Sequence, residues 1–591
     1  MLTRSSGVLM HITSLPNAFG IGSFGQSAYD FVDFLVETKQ TYWQILPLTT
    51  TSYGDSPYQS FSAVAGNTHL IDFDLLTQMG LLKEADYASV NFGDDPTSVD
   101  YERVFYARRP ILEIAVKNFL ENQSFQADFK HFEKSNRLWL DDFAEFMAIK
   151  EHFGNQALQK WDDKKAVARD PKTLEKYRTM LVDQIQYFKV TQYFFFKQWS
   201  ELKHYANQKG IKIIGDMPIY VAADSVEVWT KPELFQLDKE RNPLFVAGVP
   251  ADQFSATGQL WGNPLYDWEE HKKQVYAWWI HRIEESFKIY DVLRIDHFKG
   301  FSDYWQVDGK ADIAKYGSWQ PGPGYDLFKA VKEQLGDLPI IAEDLGNIDD
   351  KARKLLADCN YPGMKILQFG FEDVSGKSLD SPHYCIPHSI VYTGTHDNEV
   401  TNGWYNGLTE QQLVNEDCGC PGRRESTGDF TQGLTHQAGL QTDMRVAHFA
   451  FDFSLGNKCS DRVNNNDVNA TRTNQHVGDF QRLLAGIRLG DQEVIRINAQ
   501  SARIDGVKCV FRVDECSVSA CFLCAGNCVK RNGRLTGGLR AVDFDDAPTR
   551  QTTNSKSDIK SQRTSGDHLH RGTRIIPQSH DRALTELLID L

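Results

Sequence analysis

An α/β fold, specifically a (β/α)8 barrel of the TIM type, is what this sequence predicts, and two observations predict it. Short apolar runs recur along the N-terminal two thirds of the chain, and each ends on polar or charged residues. Amphipathic helical patterns lie between them, as in SAYDFVDFLVETK and FKQWSELKHYANQKG. Strand, helix, strand, with polar groups repeatedly at the C-terminal strand ends, is the pattern of a barrel with its site on one face.

Seven such runs stand in order as strands one to seven. GVLMHI ends near His11, and YWQILPL ends at a Thr-rich loop. IKIIGDMPIYV carries Asp216, and DVLRIDHF carries Arg294, Asp296 and His297. LPIIAEDLG carries Glu343, MKILQFGF ends near Glu372, and SIVYTGTHDN carries His396 and Asp397. A buried strand does not continue through unpaired carboxylates, because burying them is expensive. The charges therefore mark where each strand leaves the core.

Two connections are long. The segment between the second and third runs, about 75–205, is rich in helical periodicity and aromatics and predicts a helical insertion. The segment at about 245–270, GVPADQFSATGQLWGNPLYDW within it, is too long and too aromatic for a plain connector and is expected to be a functional loop. A catalytic domain over 1–410 follows.

Composition narrows the function. Hydrophobic content of 41% and aromatic content of 12% are those of a globular chain, and the net charge of -15 with no basic stripe argues against nucleic acid. No apolar run reaches the ~18 residues of a membrane span, and the N-terminus has no secretory pattern. A soluble, cytoplasmic protein without membrane partners is expected.

The strand ends carry the chemistry. In a barrel, Asp216, Asp296, Glu343 and Asp397 converge on one pocket, where crowded carboxylates raise one another's pKa. Two carboxyls about 5 Å apart across a sugar bond suit a retaining glycoside reaction, one attacking the anomeric carbon and the other protonating the departing oxygen. Arg294, two residues before Asp296, points to the same side of its strand and favours the ionised form there. Glu343 follows Ile340-Ile341-Ala342, a less polar setting that suits an acid. Tyr58, Trp261 and Trp305 offer faces on which sugar rings stack. Other readings stay open: Asp216 has the residue type of a helix cap, Trp305 that of a core residue, and His297 and His396 that of packed histidines.

Nine segments carry a family resemblance: RSSGVLMHITSLP, ILPLTTTSYGDSPYQSFSAVAGN, GDMPIYVAADSVEVW, GVPADQFSATGQLWGNPLYDW, LRIDHFKGFSDYW, GSWQPGPGYDLF, IAEDLG, YPGMKILQFGF and VYTGTHDNEVTNGWY. In this order, over about residues 4–408, they closely resemble the 4-α-glucanotransferases called amylomaltases, glycoside hydrolase family 77 of the α-amylase clan. The resemblance implies transfer of α-1,4-glucan segments between oligosaccharides, with neither metal nor cofactor. It implies Asp296 as nucleophile, Glu343 as general acid/base and Asp397 as transition-state stabiliser. Arg294 would keep Asp296 ionised, and Tyr58, Asp216, Trp261, His297 and His396 would bind sugar. Lys299 stands where the family commonly has Arg.

The resemblance ends near residue 408, and with it the eighth strand, for which no counterpart is found. All 12 Trp and all 22 Tyr lie at or before Tyr405. Through Gln411 there are 30 Lys and 11 Arg, and after it 5 Lys and 18 Arg. That reversal predicts an unrelated, irregular tail over 411–591, frame-shifted or fused. Cys521, Cys524 and Cys528 lack the second pair or histidines that a zinc site needs. Hydrolysis in place of transfer, or an inactive remnant of the transferase, are the alternatives.

Overall fold

The computed structural model describes residues 4–408, apart from 53, 252–254, 347 and 373–377, together with a short antiparallel pair, Ser454–Leu455 with Cys516–Ser517. The expectations for the rest of 411–591 lie outside the described residues. In chain order the strands are β1 (Gly7–Leu9), β2 (Tyr42–Gln44), β3 (Lys212–Met217), β4 (Phe245–Val249), β5 (Gln259–Pro264) and β6 (Val292–Ile295), then β7 (Asp303–Asp308), β8 (Gly317–Pro321), β9 (Ile340–Ala342), β10 (Gly363–Ile366) and β11 (Ser389–Tyr392).

All seven apolar runs contain a strand, and these strands all pair in parallel. In MKILQFGF, however, the strand stops at Ile366 and Leu367–Glu372 is helical, so Glu372 ends a helix and not a strand. One sheet has the order β1-β2-β3-β6-β9, and β10 pairs with β11. A backbone bond from Ala342 N to Pro362 O at 3.0 Å carries the order on from β9 towards β10. The side chains of Leu9, Ile214, Ile341, Met364, Ile366, Ile390 and Tyr392 meet in one buried cluster, so residues of five of these strands share an interior. Tyr392 on β11 donates to Gln44 Oε1 on β2 at 2.7 Å, which joins strands far apart in the sheet order.

Helix α1 (Gln26–Glu37) follows β1 and buries Phe31, Val32, Phe34 and Leu35. Seven helices fill the connection between β2 and β3: α2 (Phe73–Gln78), α3 (Tyr101–Glu121), α4 (Gln126–Asn136), α5 (Leu140–His152), α6 (Lys164–Val167), α7 (Pro171–Met180) and α8 (Val182–Gln208). The 27 residues of α8 contain no Gly or Pro, and Val190, Thr191, Phe194, Phe195, Gln198, Trp199 and Leu202 form its buried stripe. Two glutamines in it grip the chain that leaves β2. Gln192 brackets the backbone of Gly66 with bonds of 2.7 and 2.8 Å, and Gln198 brackets Asp72 with bonds of 2.7 and 3.0 Å.

One element departs from expectation. The aromatic segment at 245–270 is largely a hairpin, β4 with β5, and it joins an antiparallel sheet of order β5-β4-β7-β8. Trp305 lies in β7, opposite Trp319 in β8, with its indole N donating to Ala314 O at 2.8 Å. It therefore belongs to this outer sheet. The strands escaped notice because Gly and Pro interrupt them and β8 is mostly exposed, which erases the alternation that marks a half-buried strand. After β3 come α9 (Val226–Thr230), α10 (Trp268–Lys273), α11 (Ala277–Ile289), α12 (Tyr325–Leu335) and α13 (Asp350–Cys359).

Candidate functional site

Asp216 on β3 and Arg294 on β6 are register partners, so their side chains stand side by side at the strand ends. Arg294 Nη1 reaches Asp216 at 2.6 and 2.8 Å and Asp296 Oδ1 at 3.0 Å, and Nε points at Met364 Sδ, 3.4 Å away. Arg294 is 2% exposed. Burial alone would lower its pKa, but the charges of Asp216 and Asp296 outweigh this and hold it firmly protonated.

Asp216 caps no helix: α9 is capped by Ser225, whose hydroxyl accepts from Val228 N. Both Asp216 oxygens are engaged instead, since Tyr58 Oη also donates to Oδ2 at 2.6 Å. With its proton committed there, the Tyr58 hydroxyl accepts from His396 Nε2 at 2.7 Å, which places the His396 proton on Nε2. Burial lowers the pKa of His396 and keeps it neutral. The rings of Tyr58 and His396 lie nearly parallel, 5.7 Å apart.

Asp296 and Glu343 leave neighbouring strands and are tied together by backbone. Asp296 N donates to Met217 O and Glu343 N to Ile295 O, each at 3.0 Å. His297, next to Asp296, adopts a left-handed conformation at φ 50°, which aims its N–H at Glu343 Oε2, 2.8 Å away. Leu345 N donates to Oε1 at 2.8 Å. Burial pushes the Glu343 carboxyl up to about 7 against these two donors and Arg294. Burial and the Asp216, Glu343 and Asp397 charges also push Asp296 up, with the adjacent guanidinium opposing them. The Glu343 charge acts on Asp296, and interacting carboxyls titrate as a pair. Arg294 touches Asp296, and its charge favours the ionised form there.

Trp261 on β5 stands edge-on to His297, with ring centroids 4.7 Å apart. Burial lowers His297 to about 4, so it too is neutral. Asp397 follows β11 in a turn that Asn398 closes by accepting from Thr395 N at 2.8 Å, and its side chain is 54% exposed. Every candidate site residue thus lies at a C-terminal strand end or on the strand and loop beside it. Tyr220, beside Trp261 and His297, and Met364, at Arg294 Nε, also pack against these groups and are not singled out by the sequence. Tyr220, four residues beyond Asp216 in GDMPIYV, carried the one available signal. No group of His, Cys, Asp and Glu among the described residues has the arrangement of a metal site.

Acidic groups at the ends of parallel strands, one near neutrality and one against a guanidinium, define a class: α/β enzymes that act on glycosidic bonds. Comparisons with known proteins make the assignment specific. A family model described as 4-alpha-glucanotransferase matches residues 10–469, past the boundary expected near 410. The 4-alpha-glucanotransferase of Streptococcus pneumoniae is 58% identical over 405 residues, 68% of this chain and 80% of that protein. That of Clostridium butyricum is 48% identical over 398 residues, 67% of this chain and 81% of that protein. The structure of amylomaltase from Streptococcus agalactiae in complex with acarbose matches with a TM-score of 0.72 and 57% identity, covering 75% of this chain and 90% of that one. The chain belongs to the 4-alpha-glucanotransferase family. Its function is transglycosylation of α-1,4-glucans.

Proposed function

We propose that the chain transfers α-1,4-glucan segments between maltodextrins by a retaining double displacement, with Asp296, Glu343 and Asp397 in the three acidic roles. One observation carries this reading: two tied carboxyls, Asp296 against Arg294 at 3.0 Å and Glu343 raised to about 7. A carboxyl held protonated near neutral pH is what a departing sugar oxygen requires, and a carboxylate beside a cation is what the anomeric carbon requires. Asp296 attacks that carbon, the glycosidic C–O bond breaks, and the leaving oxygen takes the Glu343 proton. The acceptor hydroxyl then gives its proton back to Glu343 and displaces Asp296. Asp397, open on one side, binds ring hydroxyls. Trp261, His297 and the Tyr58–His396 pair line the sugar's path, and Asp216 serves by holding Arg294 and Tyr58.

The catalytic unit in this reading is residues 1–410, a (β/α) barrel with the helical insertion at about 75–205. Among the described residues β11 pairs only with β10, and its far side is the place an eighth strand would take. The composition break near 405–411 supports reading 411–591 as unrelated to that unit, while the family match running on to residue 469 speaks against placing the break so early. No described helix is long and apolar enough to cross a membrane, and the proposed compartment is the cytoplasm.

Incubation with maltotriose tests the reaction. Glucose and a ladder of longer maltodextrins, insensitive to chelator, is the expected outcome; glucose and maltose alone would assign hydrolysis. Replacing 411–591 with the corresponding segment of the S. pneumoniae relative tests the domain reading, and is expected to raise turnover. Unchanged turnover would show that the present tail serves the enzyme.

A further inference from the structure

Arg282 on α11 is a buried cation with no ion pair among the described residues. It is 4% exposed, and burial lowers its pKa. Its fork is directed at two consecutive carbonyls, Nη2 to Pro218 O at 2.6 Å and Nη1 to Ile219 O at 3.0 Å. The indoles of Trp278 and Trp279 flank the guanidinium at 5.4 and 5.2 Å, and Nε is buried without a hydrogen-bond partner. Burying a cation without a counter-charge is costly, and neutral carbonyls offset only part of that cost. What it provides is geometry.

The two carbonyls belong to the turn by which β3 leaves Asp216. The same turn is held by two further side chains. Tyr266 Oη donates to Ile219 O at 2.7 Å, and Asn263 Nδ2 donates to Val221 O at 2.9 Å. Between these anchors the turn presents Tyr220. Its ring lies 6.3 Å from Trp261, 6.5 Å from His297 and 6.0 Å from Tyr266. Behind it, a Cβ on Gly300 would come within 2.8 Å of Ile219 Cδ1, so the turn also backs the segment that follows Asp296.

We propose that Arg282, with Tyr266, is a positioning residue for sugar binding: it fixes the Pro218–Tyr220 turn against which Trp261 and His297 are set. This rests on the reading of Trp261 and His297 as sugar contacts. It places the effect chiefly on the glucan's affinity, because the backbone bonds of Asp296 and Glu343 run to Met217 O and Ile295 O, on β3 and β6 and outside this turn, whereas Tyr220 in the turn packs on Trp261 and His297.

Steady-state kinetics with maltotriose on Tyr266→Phe, Arg282→Lys and Trp261→Ala, each with a melting curve, test it. Tyr266→Phe keeps the packed ring and removes one bond to Ile219 O; Arg282→Lys keeps the charge and removes the fork. Both are expected to raise KM about five- to tenfold, the size of one or two hydrogen bonds, with kcat within about threefold. A lowered melting temperature with KM unchanged would make the role purely structural and overturn the inference. If Arg282→Lys does not fold, Tyr266→Phe decides alone. If Trp261→Ala raises KM while the other two do not, the clamp is wrong and the sugar wall stands. If Trp261→Ala leaves KM unchanged, the sugar wall itself is wrong, and the inference falls with it.

Discussion

The backbone N–H of His297 donates to Glu343 Oε2 at 2.8 Å. The residue that follows Asp296 in the chain therefore holds the carboxyl of Glu343 on the next strand. Side chains at strand ends ordinarily have rotamer freedom, and a shift of about 1 Å at a reacting centre can cost about 10²-fold. A main-chain donor anchored between the two acids removes part of that freedom. It requires the left-handed backbone at His297, a conformation uncommon for a non-glycine residue and often found at functional sites.

If Asp296 attacks and Glu343 donates, Asp296→Asn and Glu343→Gln should each lower turnover by about 10²–10⁴-fold or more, with melting temperatures little changed. An activated donor with a good leaving group bypasses the acid. In Glu343→Gln it should leave a glycosyl ester on Asp296, recoverable by peptide mass analysis. Label on another carboxylate would reassign the nucleophile.

The Glu343 carboxyl at about 7, against its ordinary 4.5, sets two pH effects of defined sign. Activity as kcat/KM should fall as pH rises through about 7, because the acid form is consumed. Stability follows the same proton. Between 4.5 and about 7 the folded state binds the proton more tightly than the unfolded chain, so raising pH through this window destabilises the fold. Glu343→Gln should gain stability relative to the parent across that window and hold the gain above it. Urea titrations at several pH values read this directly, and parallel curves would contradict it.

The three acids were legible because each ends a short apolar run, and a strand that stops on a carboxylate announces a strand end. Arg294 was legible from its spacing of two from Asp296, which the pleat converts into a shared face. The outer sheet was not. Gly, Pro and exposure on both faces of β8 hide its strands. Arg282 and Met364 were not legible either. A lone arginine on an amphipathic helix reads as surface, and a methionine in an apolar strand reads as core. Only the tertiary structure reveals that one grips the β3 turn and the other lies at Arg294 Nε.

Arg294 neutralises Asp216, whose side chain is 1% exposed, and contacts Asp296. Replacing it by Met leaves buried carboxylates without a counter-charge, a change that typically costs about 3–5 kcal/mol. Asp216→Asn in the same chain should recover part of this, giving a clear non-additivity in urea unfolding. Without the guanidinium, Asp296 holds its proton to higher pH. The acidic limb of the rate profile should then move upward in pH, and an unmoved limb would separate Arg294 from the ionisation of Asp296.

Asp344 yields the last prediction. It adjoins Glu343, yet its carboxylate turns away to β10, where Oδ1 accepts from Met364 N at 2.7 Å. The carboxylate occupies the position where a side chain on Gly363 would collide with it. It therefore bridges β9 and β10 at the break between the two parallel sheets, supplying from a side chain a bond that a ladder would supply from backbone. Met364 in turn lies at Arg294 Nε. Asp344→Ala orphans the buried Met364 N–H, a loss of about 1–3 kcal/mol, and frees the strand end that carries Glu343. Stability and kcat should fall together. Asp344→Asn keeps an oxygen acceptor at the same place and should restore most of both. Because Asp344 is buried, which raises its pKa, the neutral amide should also remove a desolvation penalty that the carboxylate carries. If Asp344→Asn is as damaging as Asp344→Ala, the charge and not the bridge is what the site requires.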